Sequence, residues 1–195
     1  MTEQNRIEIA QKYISEMEII KLRTSLINNV RLKYLEPLVE FRALQLRKII
    51  EQIILSSLIA NADRYKEFYN RLEKDWNARN ISRDLKRINP SFFPQAVTDD
   101  HDNHIITNKP DSLTCDELIK IYEKLGRLLH SSNPFNQSIN YREFNVYIIE
   151  SLNKIIRLLS LHTVKPYGVD GFILIGMSGT NNNGKAFANW FEEVK

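Results

Sequence analysis

The stretch from Pro37 to Ala62 constrains the fold more than any other. Apolar residues stand there at Leu38, Phe41, Leu46, Ile49, Ile50, Ile53, Ile54, Leu58 and Ile59. At 3.6 residues per turn these positions cover more than one face of a helix. A helix that is apolar over so much of its circumference has to be surrounded by other elements. The stretch therefore predicts a bundle with this second helix at its centre. Pro37 suits its start, where a missing N–H takes nothing from the helix.

Four further helices fit the remaining periodicity. The first runs from Glu3 to about Lys33, with Ile7, Ala10, Tyr13, Ile14, Met17 and Ile20 at three-and-four spacing. The third, about Arg64 to Arg87, is polar, and Asn89-Pro90 stops it because proline pushes the residue before it out of the α region. Thr114 to Glu117 reads as a capping box that opens the fourth helix, which runs to near His130. The fifth, about Ser138 to His162, carries Phe144, Ile148, Leu152, Ile155, Ile156 and Leu159 on a broad apolar face and is also central. Between Ser91 and Asp111 the pattern becomes a long loop or irregular hairpin. After Pro166, the runs Phe172 to Met177 and Ala186 to Val194 flank a Gly- and Asn-rich turn, which predicts a β-hairpin. The expected fold is mostly α. It is one domain over 1–195, an antiparallel bundle of about five helices over about 1–165 with a small C-terminal hairpin over about 170–195.

Composition sets the outer limits. At 195 residues, 43% hydrophobic and 26% charged, the chain buries enough surface to fold without a staple. Its one cysteine, Cys115, excludes an internal disulfide and a Cys-rich metal framework, so no cofactor or metal is expected. The most apolar stretches, Ile49 to Ile59 and Tyr147 to Leu161, are interrupted by Glu51, Gln52, Glu150, Lys154 and Arg157 and are too short to span a bilayer. With no signal-peptide pattern at the N-terminus, a cytoplasmic location and no membrane partner are expected. A net charge of +3 is modest for a nucleic-acid binder.

Three local patterns invite chemistry. Gly179 to Ala186 fits GxxxxGK after an apolar strand, but Ala186 stands where a phosphate loop needs a hydroxyl for Mg²⁺. Only ten residues follow Lys185, so the segment reads as a hairpin turn. Asp99-Asp-His-Asp-Asn-His104 offers oxygen and imidazole ligands but not the helical spacing that puts two imidazoles on one face, so it reads as a solvated acidic loop. On the third helix, Arg79, Arg83 and Arg87 recur every fourth residue with Trp76 one turn before them, a candidate RNA-binding ridge. Interleaved Glu67, Glu73, Asp75 and Asp84 favour the alternative, a solvated face laced with ion pairs.

The fourth pattern is Tyr122-Glu-Lys-Leu125-Gly126-Arg127-Leu-Leu-His130-Ser131. Together with Phe41-Arg42-Ala-Leu-Gln-Leu-Arg47-Lys-Ile-Ile-Glu51, it resembles the HEPN-like superfamily of small helical domains. The resemblance covers about residues 38–162. It implies a helical module that binds a protein or RNA partner in a prokaryotic defence system, antiviral defence included, or a stress system. Active HEPN ribonucleases place about four to six residues between an Arg that stabilises an oxyanion and a His that shuttles a proton. Arg127 stands three positions before His130, so this chain departs from that spacing. The resemblance therefore implies a divergent, non-catalytic member. Its alternative is a metal-independent endoribonuclease whose site, Arg127 and His130, is built across a homodimer interface.

Overall fold

The computed structural model describes residues 2–62, 77–100, 105–129, 139–179 and 183–192. Its helices are α1 (Glu3–Asn29), α2 (Leu35–Ala60), α3 (Ala78–Ile88), α4 (Cys115–Leu129) and α5 (Tyr141–Leu159). Its strands are β1 (Gln95–Asp100), β2 (Ile105–Asn108), β3 (Leu161–Val164), β4 (Gly171–Gly176) and β5 (Phe187–Glu192).

The helices begin where side chains can replace missing backbone partners. Thr2 accepts from the Asn5 amide, Asn77 from that of Arg79 and Asn140 from that of Glu143. Thr114 and Glu117 form the reciprocal capping box: the Thr114 amide donates to Glu117 Oε2 at 2.9 Å and the Glu117 amide to Thr114 Oγ1 at 3.3 Å. The Asn77 cap has extended backbone, so α3 starts afresh at Ala78, and this corrects the expected continuous helix from Arg64. Residues 63–76 lie outside the described part of the chain.

The second helix is central, as its sequence requires. Val39, Ala43, Leu46, Ile49, Ile50, Ile53 and Ile54 are fully buried, and α2 packs against α1, α3, α4 and α5. Arg42 Nε donates to the Ile27 carbonyl while Arg23 reaches Gln45 and Gln52, so α1 and α2 run antiparallel. Leu152, the centre of the α5 apolar face, is also fully buried. α5 lies between α2 and the strands β1 and β3.

The sheet is the main correction. In place of a small C-terminal hairpin there is a five-stranded antiparallel sheet in the order β2-β1-β3-β4-β5. α5 stops at Leu159 rather than His162, and the chain continues as β3 after Ser160. β3 is the keystone. It pairs with β4 through Leu161 to Val164 and with β1 at Thr163–Gln95 and His162–Ala96, which ties the Ser91–Asp111 region to the C-terminal hairpin. A continuous sheet satisfies both edges of β3, which a lone strand beside a helix would leave exposed.

Candidate interaction site

The two segments that carry the family resemblance meet between α2 and α4. Arg47 Nη2 donates to the Tyr122 hydroxyl at 2.6 Å, and its guanidinium carbon lies 3.9 Å from the Tyr122 ring centroid. The Tyr122 hydroxyl in turn donates to Glu51 Oε1 at 3.3 Å. Glu51 also pairs with Arg47 Nε at 3.5 Å and Lys48 Nζ at 2.8 Å. Gly126 makes room for this arrangement. A Cβ there would stand 2.5 Å from Arg47 Nη1, so any larger residue displaces the guanidinium. Burial holds the Tyr122 hydroxyl above its ordinary pKa, and Arg47 opposes that shift, so the phenol stays protonated and donates. Arg47 is thus committed on three sides to packing two helices together.

Arg127 follows Gly126 by one residue and is therefore turned about 100° from the junction. It is exposed and has no hydrogen bond or ion pair among the described residues. Its charge acts on the Tyr147 hydroxyl of α5, opposing the rise in pKa that burial causes there. His130, its predicted companion, and Trp76, assigned to the basic ridge, lie outside the described residues.

On α3 the structure places Arg79, Arg83 and Arg87 at the surface, each facing an acid. Arg79 pairs with Glu123 at 3.0 Å, and Arg83 and Arg87 flank Asp84 at 3.8 and 3.9 Å. Lys86 faces Asp116 at 3.4 Å. All four cations are more than 60% exposed, so the pairs are weak and exchangeable. The face is a mosaic of both signs rather than a bare cationic ridge.

Exposed apolar side chains concentrate elsewhere. Leu22, Leu26, Leu32, Tyr34 and Leu35, each 39% to 64% exposed, lie along the last two turns of α1, the connection that follows and the first residue of α2. Arg31 and Lys33 are interleaved with them: Lys33 Nζ lies 5.3 Å from the Tyr34 ring centroid, and Arg31 is held by the carbonyls of Asn28 and Val30. Periodicity missed this feature, because it assigned the connection to the first helix. The signal that could have found it is the alternation of basic and apolar residues in Arg31-Leu32-Lys33-Tyr34-Leu35.

The phosphate-loop lookalike is bridged between its ends, and its residues 180–182 lie outside the described part of the chain. Gly179 N bonds the Lys185 carbonyl at 3.0 Å and Gly184 N the Gly179 carbonyl at 3.1 Å, with Asn183 and Gly184 in the left-handed region. The Ala186 amide donates to Glu18 Oε1 at 2.6 Å, so a carboxylate already faces this backbone. In the acidic loop, Asp99 and Asp100 end β1 while 101–104 lie outside the described residues; among the described residues no three His, Cys, Asp or Glu gather as a metal site would need. No described helix is long and apolar enough to cross a membrane.

One buried polar pair escaped the sequence altogether. His162, on β3, is fully buried against Tyr13 of α1, with Nε2 3.3 Å from the Tyr13 hydroxyl and Nδ1 3.0 Å from the Leu159 carbonyl. With both ring nitrogens so placed, the neutral imidazole donates from Nδ1 to Leu159 and accepts from Tyr13. Burial pushes the His162 pKa down to about 4 and the Tyr13 hydroxyl upward. Both groups are neutral and structural. Comparison with known proteins adds no relative: no family model, curated protein or solved structure matches this chain.

Proposed function

We propose that this chain is a non-catalytic HEPN-like helical module that binds a protein partner in a prokaryotic defence or stress system. The setting comes from the resemblance of the α2 and α4 segments. Their meeting at Arg47, Glu51, Tyr122 and Gly126 supports that reading, because two patterns noted separately in the sequence become one packed junction. The observation that carries the binding role is the exposed cluster of Leu22, Leu26, Leu32, Tyr34 and Leu35, since a monomeric surface rarely gathers large apolar side chains without a use. Arg31 and Lys33 within it select a partner that joins apolar anchors to acidic residues. They also disfavour a two-fold homodimer through this end, where the same cations would face each other. The mosaic of charges on α3 makes RNA the weaker reading.

The test compares two variants in cross-linking of the chain in its native cells. Leu22→Asp with Tyr34→Ala should abolish a defined cross-link through Lys33 while leaving the melting temperature near that of wild type. Arg79→Glu, Arg83→Glu and Arg87→Glu together should leave it intact. Retained cross-linking in the first variant overturns the proposal. So does salt-sensitive RNA binding that disappears only in the second.

A further inference from the structure

A different part of the molecule is hollow. The segment Lys109 to Thr114 joins β2 to α4 and separates two cavities. It is fixed at both ends: the Lys109 amide donates to the Ala96 carbonyl at 2.8 Å, and Thr114 belongs to the α4 capping box. Between them Asp111 takes a left-handed backbone, φ 57°, a turn conformation that Asp tolerates better than most non-glycine residues. The Ser112 hydroxyl, on the wall of both cavities, is shielded from solvent and has no hydrogen-bond partner among the described residues.

The larger cavity, about 730 Å³, lies within the size range of small-molecule sites. The sheet supplies one wall. Ala96, His162 and Ile175 form the row facing the core, so the next row, Gln95, Thr163 and Leu174, faces the other way. Val97, although buried, stands apart from the main core and lines this cavity with Phe93, Ile106 and Phe172. The result is a partly aromatic wall. Cations edge both cavities. Lys109 and Asp111 border both, Lys165 the larger, and Lys154, Arg157 and Glu117 the smaller, about 460 Å³ one, so the larger cavity is lined by two cations and one carboxylate. Glu117 is already engaged by the Thr114 amide and hydroxyl.

We propose that the larger cavity binds a planar anion of mononucleotide chemistry, its ring on the part-exposed Phe93 and Phe172 side chains and its phosphate at Lys109 and Lys165. The site is separate from the apolar α1–α2 end, and neither depends on the other. The nucleotide comes either free or as the 5′ end of an RNA, and the two sources share this chemistry.

Isothermal titration of the full chain tests it with four probes: adenosine 5′-monophosphate, adenosine, inorganic phosphate, and a 5′-phosphorylated oligoribonucleotide. Saturable binding of the monophosphate is expected, at least about tenfold tighter than either adenosine or phosphate alone, because ring and anion contribute together. Thr163→Trp fills the cavity from the sheet and should weaken it at least about tenfold. Lys109→Glu with Lys165→Glu should do the same without touching the core, which keeps the test decisive if the tryptophan variant does not fold. Stronger binding of the oligoribonucleotide, lost in the same variants, supports the site and assigns the source to RNA. No saturable binding of any probe overturns the proposal, as does monophosphate affinity unchanged in the lysine variant.

Discussion

Two of the places where polar side chains meet across elements, the Arg47–Glu51–Tyr122 junction and the Tyr13–His162 pair, resolve the problem in opposite ways. Between α2 and α4, Arg47 and Glu51 form an ion pair around the neutral Tyr122 hydroxyl, at a site that is only partly closed: the Arg47 side chain is 26% exposed. Between α1 and β3, Tyr13 and His162 have no access to water, and both are neutral. Water access decides which solution is stable, since a charge withdrawn from solvent needs a partner of opposite sign or must be discharged. The first site answers to the geometry of its neighbours. The second answers to pH.

The largest effect separating them should come from acid. An unfolded chain protonates His162 near its ordinary 6.5, whereas the buried ring resists down to about 4. Its stabilising contribution is thus complete above about pH 6.5 and declines as pH falls towards 4, because only the unfolded state takes up the proton. The full difference amounts to about 3 kcal/mol. Denaturant melts of wild type and His162→Leu across pH 7 to 4 should show the variant losing less stability over that window. Parallel pH profiles would mean that His162 is not the neutral group described here.

Next in size is Tyr122→Phe, which deletes the hydroxyl that Arg47 and Glu51 share. It should lower stability by about 1 to 2 kcal/mol, read as a lower denaturation midpoint with unchanged slope. An unchanged midpoint would reduce the junction to surface decoration. The smallest effect is also the sharpest. Gly126→Ala displaces Arg47 and should destabilise wild type. In an Arg47→Ala background the same change should stabilise by about 1 kcal/mol, because alanine is the better helix former once the guanidinium is gone. The same sign in both backgrounds would refute the close packing of Gly126 and Arg47.

The contrast also explains what the sequence disclosed. The α2 core was legible because its apolar positions repeat with the helix, and the Thr114–Glu117 box because both partners lie within one turn. The C-terminal turn was legible from its Gly and Asn residues. β3 was not, since Leu158, Leu159 and Leu161 continue the apolar run of α5 and nothing local distinguishes strand from helix before Thr163 and Val164. The Tyr13–His162 contact spans 149 positions, a separation no periodicity reports. At the candidate site, resemblance singled out Arg47, Glu51, Tyr122 and Gly126, but their contacts belong to the tertiary structure. The arginines of α3 were found in their predicted exposed place. Glu123, the partner of Arg79, and Asp116, the partner of Lys86, come from another helix, so only the pairing of Arg83 and Arg87 around Asp84 was readable locally.

The most direct test of a non-catalytic module is a metal-free RNA degradation assay on the purified chain, run beside Arg127→Ala and His130→Ala. We expect no cleavage by any of the three. Wild-type cleavage that vanishes in both variants, while each melts like wild type, would contradict the account and make the short Arg127–His130 spacing a working ribonuclease site.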